Sequence, residues 1–179
     1  MKNFFNKFYQ LFCMTFLSLE KQARLAGVNL GNNNYISSRF WSSEPYLITI
    51  GDNCQITSGV KMFTHGGGNV LRDKYPTFDV FGKIKIGNYV YIGANSLINA
   101  GVTIEDNVLV AAGSVVTKSL KGRCVYGGNP AVFICTLDEY EKKNIKYNTA
   151  TKMCSPKDKR TLLLSLPDDI FIKKNYIGQ

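Results

Sequence analysis

The sequence predicts a mainly β fold, wound as a parallel β-helix of hexapeptide coils, and three observations lead there. Between Ile86 and Leu120 an aliphatic residue recurs at every sixth position: Ile86, Ile92, Ile98, Ile104, Val110 and Val116. Four places after each stands a small or aliphatic residue: Val90, Ser96, Val102, Val108, Ser114 and Leu120. Gly or Ala often follows the anchor directly, as at Gly87, Gly93 and Ala111. A helix repeats at about 3.6 residues and a strand at 2, so a period of six fits neither. It fits a short strand, a turn and another short strand, stacked coil upon coil.

The elements follow in chain order. Met1 to Leu19 is basic at Lys2 and Lys7 and then apolar. No small-x-small cleavage site follows, and Glu20, Lys21 and Arg24 come at once, which argues against a signal peptide. The apolar run is too short to span a bilayer. Residues 1–26 are therefore expected to form an amphipathic helix with Phe4, Phe8, Leu11, Phe12 and Leu19 near one face. Weak peripheral contact with a membrane is the second reading of those phenylalanines and lysines.

Residues 27–136 are expected to form the β-helix core. Leu30 and Ile36 set the phase, Phe40 to Pro45 breaks it, and Ile50, Ile56 and Met62 resume it. Cys54 and Val60 fall on the interior position four places after an anchor, so Cys54 reads as a small core residue. Asn53, Asn88 and Asn107 fall at corners, where Asn tolerates left-handed backbone. The repeat stops at His65, residues 66–83 carry no hexads and read as an inserted loop, and the coils restart at Lys83 to Ile86. Past Gly127-Gly128-Asn129-Pro130 a helical extension, 137–179, is expected, with helices over Leu137 to Tyr147 and Arg160 to Leu166.

At 179 residues the length suits one core-bearing domain, and 45% hydrophobic with 20% charged content excludes a disordered chain. Five cysteines are scattered without any CxxC spacing, which argues against a zinc knot or disulfide framework and points to reduced thiols in the cytoplasm. The net charge is +9, but the lysines are spread out and, beyond Asp138, interleaved with acids. That is a solvated surface and not a nucleic-acid footprint, though its field favours anionic ligands.

Two groups of residues could carry chemistry. His65 is the only histidine. It stands where the coil pattern breaks and a Gly-rich loop begins. Its imidazole suits a general base for a hydroxyl, while a structural role is the plain alternative. The second group is VAAGSVVTK, Val110 to Lys118. Ala111, Ala112 and Gly113 would let a ligand lie close to the backbone, and Lys118 could meet a phosphate as a point charge. Small corner residues with a lysine cap explain the same pattern, and the residues alone do not choose.

The runs YIGANSLINAGVTIEDNVLVAAGSVVTK and GGNPA resemble the hexapeptide-repeat acyltransferases. FTH, the Gly-rich loop and LRDKYP resemble, more narrowly, the sugar O-acetyltransferases of capsule and lipopolysaccharide synthesis. The resemblance covers about Gly27 to Tyr147. It implies a left-handed β-helix, a homotrimer with active sites between subunits, acetyl-CoA as cosubstrate and no metal. It makes His65 the catalytic base. It sets Ala94 and Ala112 along the pantetheine arm, and Thr117 and Lys118 near the nucleotide end, with Lys118, Lys121 or Arg123 compensating for basic positions that are Val132 and Cys135 here. Tyr91 stands where the family has Trp. Loop residues Arg72, Asp73, Lys74, Tyr75 and Asp79 become the candidate acceptor site.

The acid that the family often places after the histidine is Gly66 here, so a partner for the imidazole is expected from Asp73, Asp79 or a backbone carbonyl. The implied reaction is acetyl transfer from acetyl-CoA to a sugar hydroxyl of a surface polysaccharide or its precursor. N-acetylation of an amino sugar, or acetylation of an antibiotic, is the near alternative. A zinc carbonic anhydrase on this kind of fold needs about three imidazoles, which one histidine cannot supply. The break at His65 and the GSVVTK ending both favour the enzyme over a scaffold or binding module without activity.

Overall fold

A computed structural model of the chain describes residues 16–176 and residue 178. Phe4, Phe8, Leu11 and Phe12, expected on the apolar face of the first helix, lie outside the described residues. The described part of that segment holds α1, Leu19–Ala26. Ser18 caps its start by accepting the Lys21 N–H, and Gly27, at φ 108°, ends it in the left-handed conformation that Gly adopts most cheaply. Leu19 packs against the core and Ala23 is buried. Arg24 ties the helix to the first coil, reaching the carbonyls of Leu30 at 2.6 Å and Gly31 at 2.5 Å.

The coils make three sheets of parallel strands, the second closed by one antiparallel strand. The first is β1 (Asn29–Leu30), β3 (Ile48–Ile50), β6 (Ile84–Ile86) and β9 (Thr103–Ile104). The second is β2 (Tyr35–Ile36), β4 (Gln55–Ile56), β7 (Tyr91–Ile92), β10 (Leu109–Val110), β12 (Cys124–Gly127) and β13 (Val132–Thr136). The third is β5 (Lys61–Met62), β8 (Leu97–Ile98) and β11 (Val115–Val116). Each coil visits the sheets in turn, and register keeps like positions together: Ile50 with Ile86 and Ile86 with Ile104; Ile56 with Ile92 and Ile92 with Val110; Met62 with Ile98 and Ile98 with Val116. All of these anchors are buried, and so are Val90, Ser96, Val102, Val108, Ser114 and Leu120 four places on. The six-residue period is thus one strand and one corner, with two inward residues in every six.

Where the inward residue is polar, its bond is made. Ser96 Oγ donates to Gly93 O at 2.7 Å and Ser114 Oγ to Ala111 O at 2.6 Å, so each hydroxyl braces its own corner. Cys54 behaves as the small core residue expected, with burial pushing its thiol up and its Sγ 3.0 Å from Gly87 O.

One corner expectation needs correction. Asn53 and Asn107 do take left-handed backbone, at φ 57° and 58°. On the coil between them the left-handed residue is Tyr89, at φ 54°, and not Asn88. Asn88 instead accepts the Asp52 N–H at 2.8 Å, and its own N–H donates to Asp106 Oδ1 at 2.7 Å. The corner needs a side-chain acceptor that ties coil to coil, and on this coil Asn fills that place.

The first coil also explains its break in phase. Phe40 bridges in parallel to Lys61, and Trp41, one place on, is buried. Trp41 is thus the interior residue of that strand, five and not six places after Ile36. Ser42 to Glu44 follow as the turn of this coil at the corner that ends the third sheet.

At the far end β13 pairs antiparallel with β12, and Tyr126 closes the core, its hydroxyl 3.1 Å from Lys121 N. Residues through Leu137 form one compact unit and Asp138–Gln179 a second. The second holds α2 (Leu137–Asn144), which begins at the boundary, and α3 (Pro156–Ser165). α3 starts four residues before the expected Arg160, because Ser155 caps it and Pro156 supplies its first position. No helix among the described residues is long and apolar enough to cross a membrane.

Candidate active site

His65 follows β5 at the corner that ends the third sheet. The loop leaves there through a clasp: His65 and Phe81 form an antiparallel bridge, Gly66 N–H donates to Val80 O at 3.0 Å, and Gly82 N–H donates to Thr64 O at 2.8 Å. The clasp fixes the backbone on both sides of the histidine while the imidazole stands 41% exposed.

The partner of the imidazole is Glu44. Its Oε2 lies 2.9 Å from His65 Nδ1. Thr64 Oγ1, on a fully buried residue, is 2.8 Å from both Glu44 Oε2 and Ser42 Oγ, and Thr64 N–H donates to Ser42 Oγ at 3.2 Å. Ser42 and Ser43 hydroxyls lie 3.4 Å from Nδ1. The hydrogen bond with His65 first, then that with Thr64, hold the Glu44 carboxyl down to about 2 against the partial desolvation that opposes them. A carboxylate on one ring nitrogen leaves the other available to take up a proton.

This corrects the expected partner. Asp73 Oδ1 accepts the Lys74 N–H at 2.8 Å, and Asp79 Oδ1 accepts the Val80 N–H at 3.2 Å, with Arg72 Nη2 3.8 Å away. Both acids serve the loop. Sequence reasoning missed Glu44 because it lies 21 positions before His65, in the stretch that breaks the hexad phase. That break was the available signal: it marks the turn stacked directly on the histidine's corner.

The remaining candidates fall at several places. Thr117 and Lys118 are exposed at the same corner as His65, two coils further on through the Met62–Ile98–Val116 register. At the strand spacing of β-sheets that is about 10 Å along the axis. Ala94 and Ala112 stack at the corner before the third sheet, where Gly113 N–H donates to Ala94 O at 2.8 Å. The Ala94 and Ala112 side chains are single methyl groups, and Gly113, at φ 71°, has open space beyond it. The Ala94–Ala112 corner and the Thr117–Lys118 corner border the same sheet. Tyr91 lies on the second sheet, and Arg123, at φ 54°, at the corner between the first and second. One chain therefore joins His65 to the Thr117–Lys118 edge and leaves Tyr91 and Arg123 on other sides.

The loop residues chiefly meet one another. Arg72 Nε donates to Phe78 O at 3.1 Å, Lys74 Nζ stands 5.2 Å from the centre of the Tyr75 ring, and the Tyr75 and Phe78 rings are 6.4 Å apart. Val70, Leu71, Tyr75, Val80 and Phe81 are exposed, so the loop presents an apolar and aromatic surface beside the histidine.

Residues 83–118 match the family described as bacterial transferase hexapeptide (six repeats). Protein CapG of Staphylococcus aureus is 46% identical over 150 residues, which make up 82% of this chain and 87% of that protein. The chain belongs to the hexapeptide-repeat acyltransferase family. A second relative in that company is galactoside O-acetyltransferase of Escherichia coli (strain K12), 34% identical over 119 residues, with 65% of this chain and 58% of that protein covered. The solved structure of galactoside acetyltransferase in complex with coenzyme A matches with a TM-score of 0.56 at 28% identity, over 71% of this chain and 75% of that one. The family match spans the uninterrupted coils; His65 and Glu44 lie before it.

Proposed function

We propose that the chain transfers an acetyl group from acetyl-CoA to a sugar hydroxyl of a surface polysaccharide or its precursor, in the cytoplasm, with His65 as general base. The carrying observation is the half-exposed imidazole, clasped at the foot of the loop, with Nδ1 engaged by Glu44 and the Thr117–Lys118 edge two coils away. The names of its relatives support the substrate class: one acts on a galactoside, and a matched structure holds coenzyme A.

In this reading the coils wind left-handed. His65 takes the acceptor proton as the oxygen attacks the thioester carbonyl, and then returns it to the departing sulfur. A backbone N–H on an adjacent coil stabilises the oxyanion. Base assistance of this kind is worth about 10²–10⁴ in rate, and holding both substrates in line supplies much of the rest. The small Ala94 and Ala112 side chains fit a pantetheine arm, and Thr117 with Lys118 its nucleotide end. A homotrimer with active sites between subunits would bring Tyr91 and Arg123 of one subunit to the His65 edge of the next. The loop surface around Arg72, Asp73, Lys74, Tyr75 and Asp79 receives the sugar.

The test is transfer from acetyl-CoA to a panel of neutral sugars, amino sugars and aminocyclitol antibiotics, with products read by mass and alkali lability. Alkali-labile esters on neutral sugars are expected. Alkali-stable amides as the main product would overturn the O-transfer reading.

A further inference from the structure

The geometry points to Glu44 as the positioning residue that fixes which nitrogen of His65 carries the proton. This rests on His65 being the general base. A neutral imidazole has two tautomers, and only the form with a bare Nε2 and a proton on Nδ1 presents a base outward while Glu44 holds the inner nitrogen. At 2.9 Å from Nδ1, the carboxylate accepts that proton and has none to give back. Depressed to about 2, it remains an acceptor wherever the protein is folded and working.

Three further features show a built arrangement and not a chance surface pair. Glu44 is only 17% exposed on its side chain, against 41% for His65, so the acid is the inner member. Thr64 holds the same Oε2 from the side at 2.8 Å. Ser42 takes φ 64°, a left-handed conformation uncommon for a residue other than Gly, and that turn carries Ser43 and Glu44 over the histidine's corner. The Ser42 hydroxyl is in turn held by Thr64 N–H. The odd phase of the first coil thus serves the site: ending its interior strand one residue early, at Trp41, places the turn where Glu44 meets the ring.

His65 is the sole histidine, so its ring nitrogens give one unambiguous set of signals in a ¹⁵N-labelled sample of the whole chain. Above the pH at which the ring titrates, the wild type is expected to show a protonated Nδ1 and a bare Nε2. Glu44→Gln, whose amide can donate to Nδ1, and Glu44→Ala are both expected to shift the ring toward the Nε2–H form. They should lower kcat by about tenfold or more, with KM for acetyl-CoA unchanged, because a fraction of the ring is then in the wrong form for a base. Amide spectra matching the wild type certify the fold. An unchanged tautomer in both variants, or unchanged kcat despite a shifted tautomer, overturns the assignment. Loss of activity in His65→Ala alongside such a result would leave the base standing and remove only Glu44, so the two readings fail separately.

Discussion

The coils from Lys83 to Lys118 and the stretch from Phe40 to Gly82 use the same architecture to opposite ends. In the first, every sixth residue is an Ile or Val turned inward, every corner closes in a few residues, and polar interior atoms are spent on bracing. In the second, the strand phase slips at Trp41, a serine adopts left-handed backbone, and the corner opens into a loop. The polar groups there converge on one imidazole. The regular coils supply a rigid edge, and the irregular ones place chemistry on it. A repeat can be tiled without limit, but a site needs a residue that occurs once, and only an interruption provides it.

The comparison can be broken by substitution. The largest expected effect is in the regular coils. Ile98 is fully buried between Met62 and Val116, so Ile98→Ala should cost about 2–5 kcal/mol in denaturant unfolding. A loss well under 1 kcal/mol would show that the inward stack is not the main support of the fold.

An intermediate effect belongs to the turn. The Glu44 carboxyl falls from 4.5 to about 2 on folding, so it is more acidic when folded. Its contribution is therefore complete above the unfolded value and is lost as pH falls from about 4.5 toward 2. Between about pH 4.5 and pH 2 the stability gap between wild type and Glu44→Gln should close as the carboxylate is protonated. A gap that stays unchanged through that window would contradict the pairing. The smallest effect is expected in the loop, where Val70 is 79% exposed and Val70→Ala should change stability by no more than about 0.5 kcal/mol.

The same contrast decides what could be read from the chain. Hexads located every anchor from Ile86 to Leu120, and earlier ones at Leu30, Ile36, Ile50, Ile56 and Met62, because burial at a fixed spacing is a local property. They also located the stop at His65 and the loop beyond it. Trp41 was not legible as an interior residue, since a one-residue slip looks like the end of the repeat. Glu44 was not legible for a related reason. Its contact with His65 is made by stacking one coil's turn on the next, and no spacing rule crosses an irregular corner. The start of α3 was carried by Ser155-Pro156, a capping signal that periodicity does not weigh. Tyr89 in the left-handed corner shows that stacking can override residue preference.

The central claim is that the break in the repeat holds the base, and replacing His65 tests it most directly. In His65→Ala and His65→Asn, with unfolding midpoints matched to the wild type, acetyl transfer from acetyl-CoA is expected to fall by about 10²–10⁴ while coenzyme A still binds. Transfer within a few-fold of the wild-type rate in either folded variant would contradict the account.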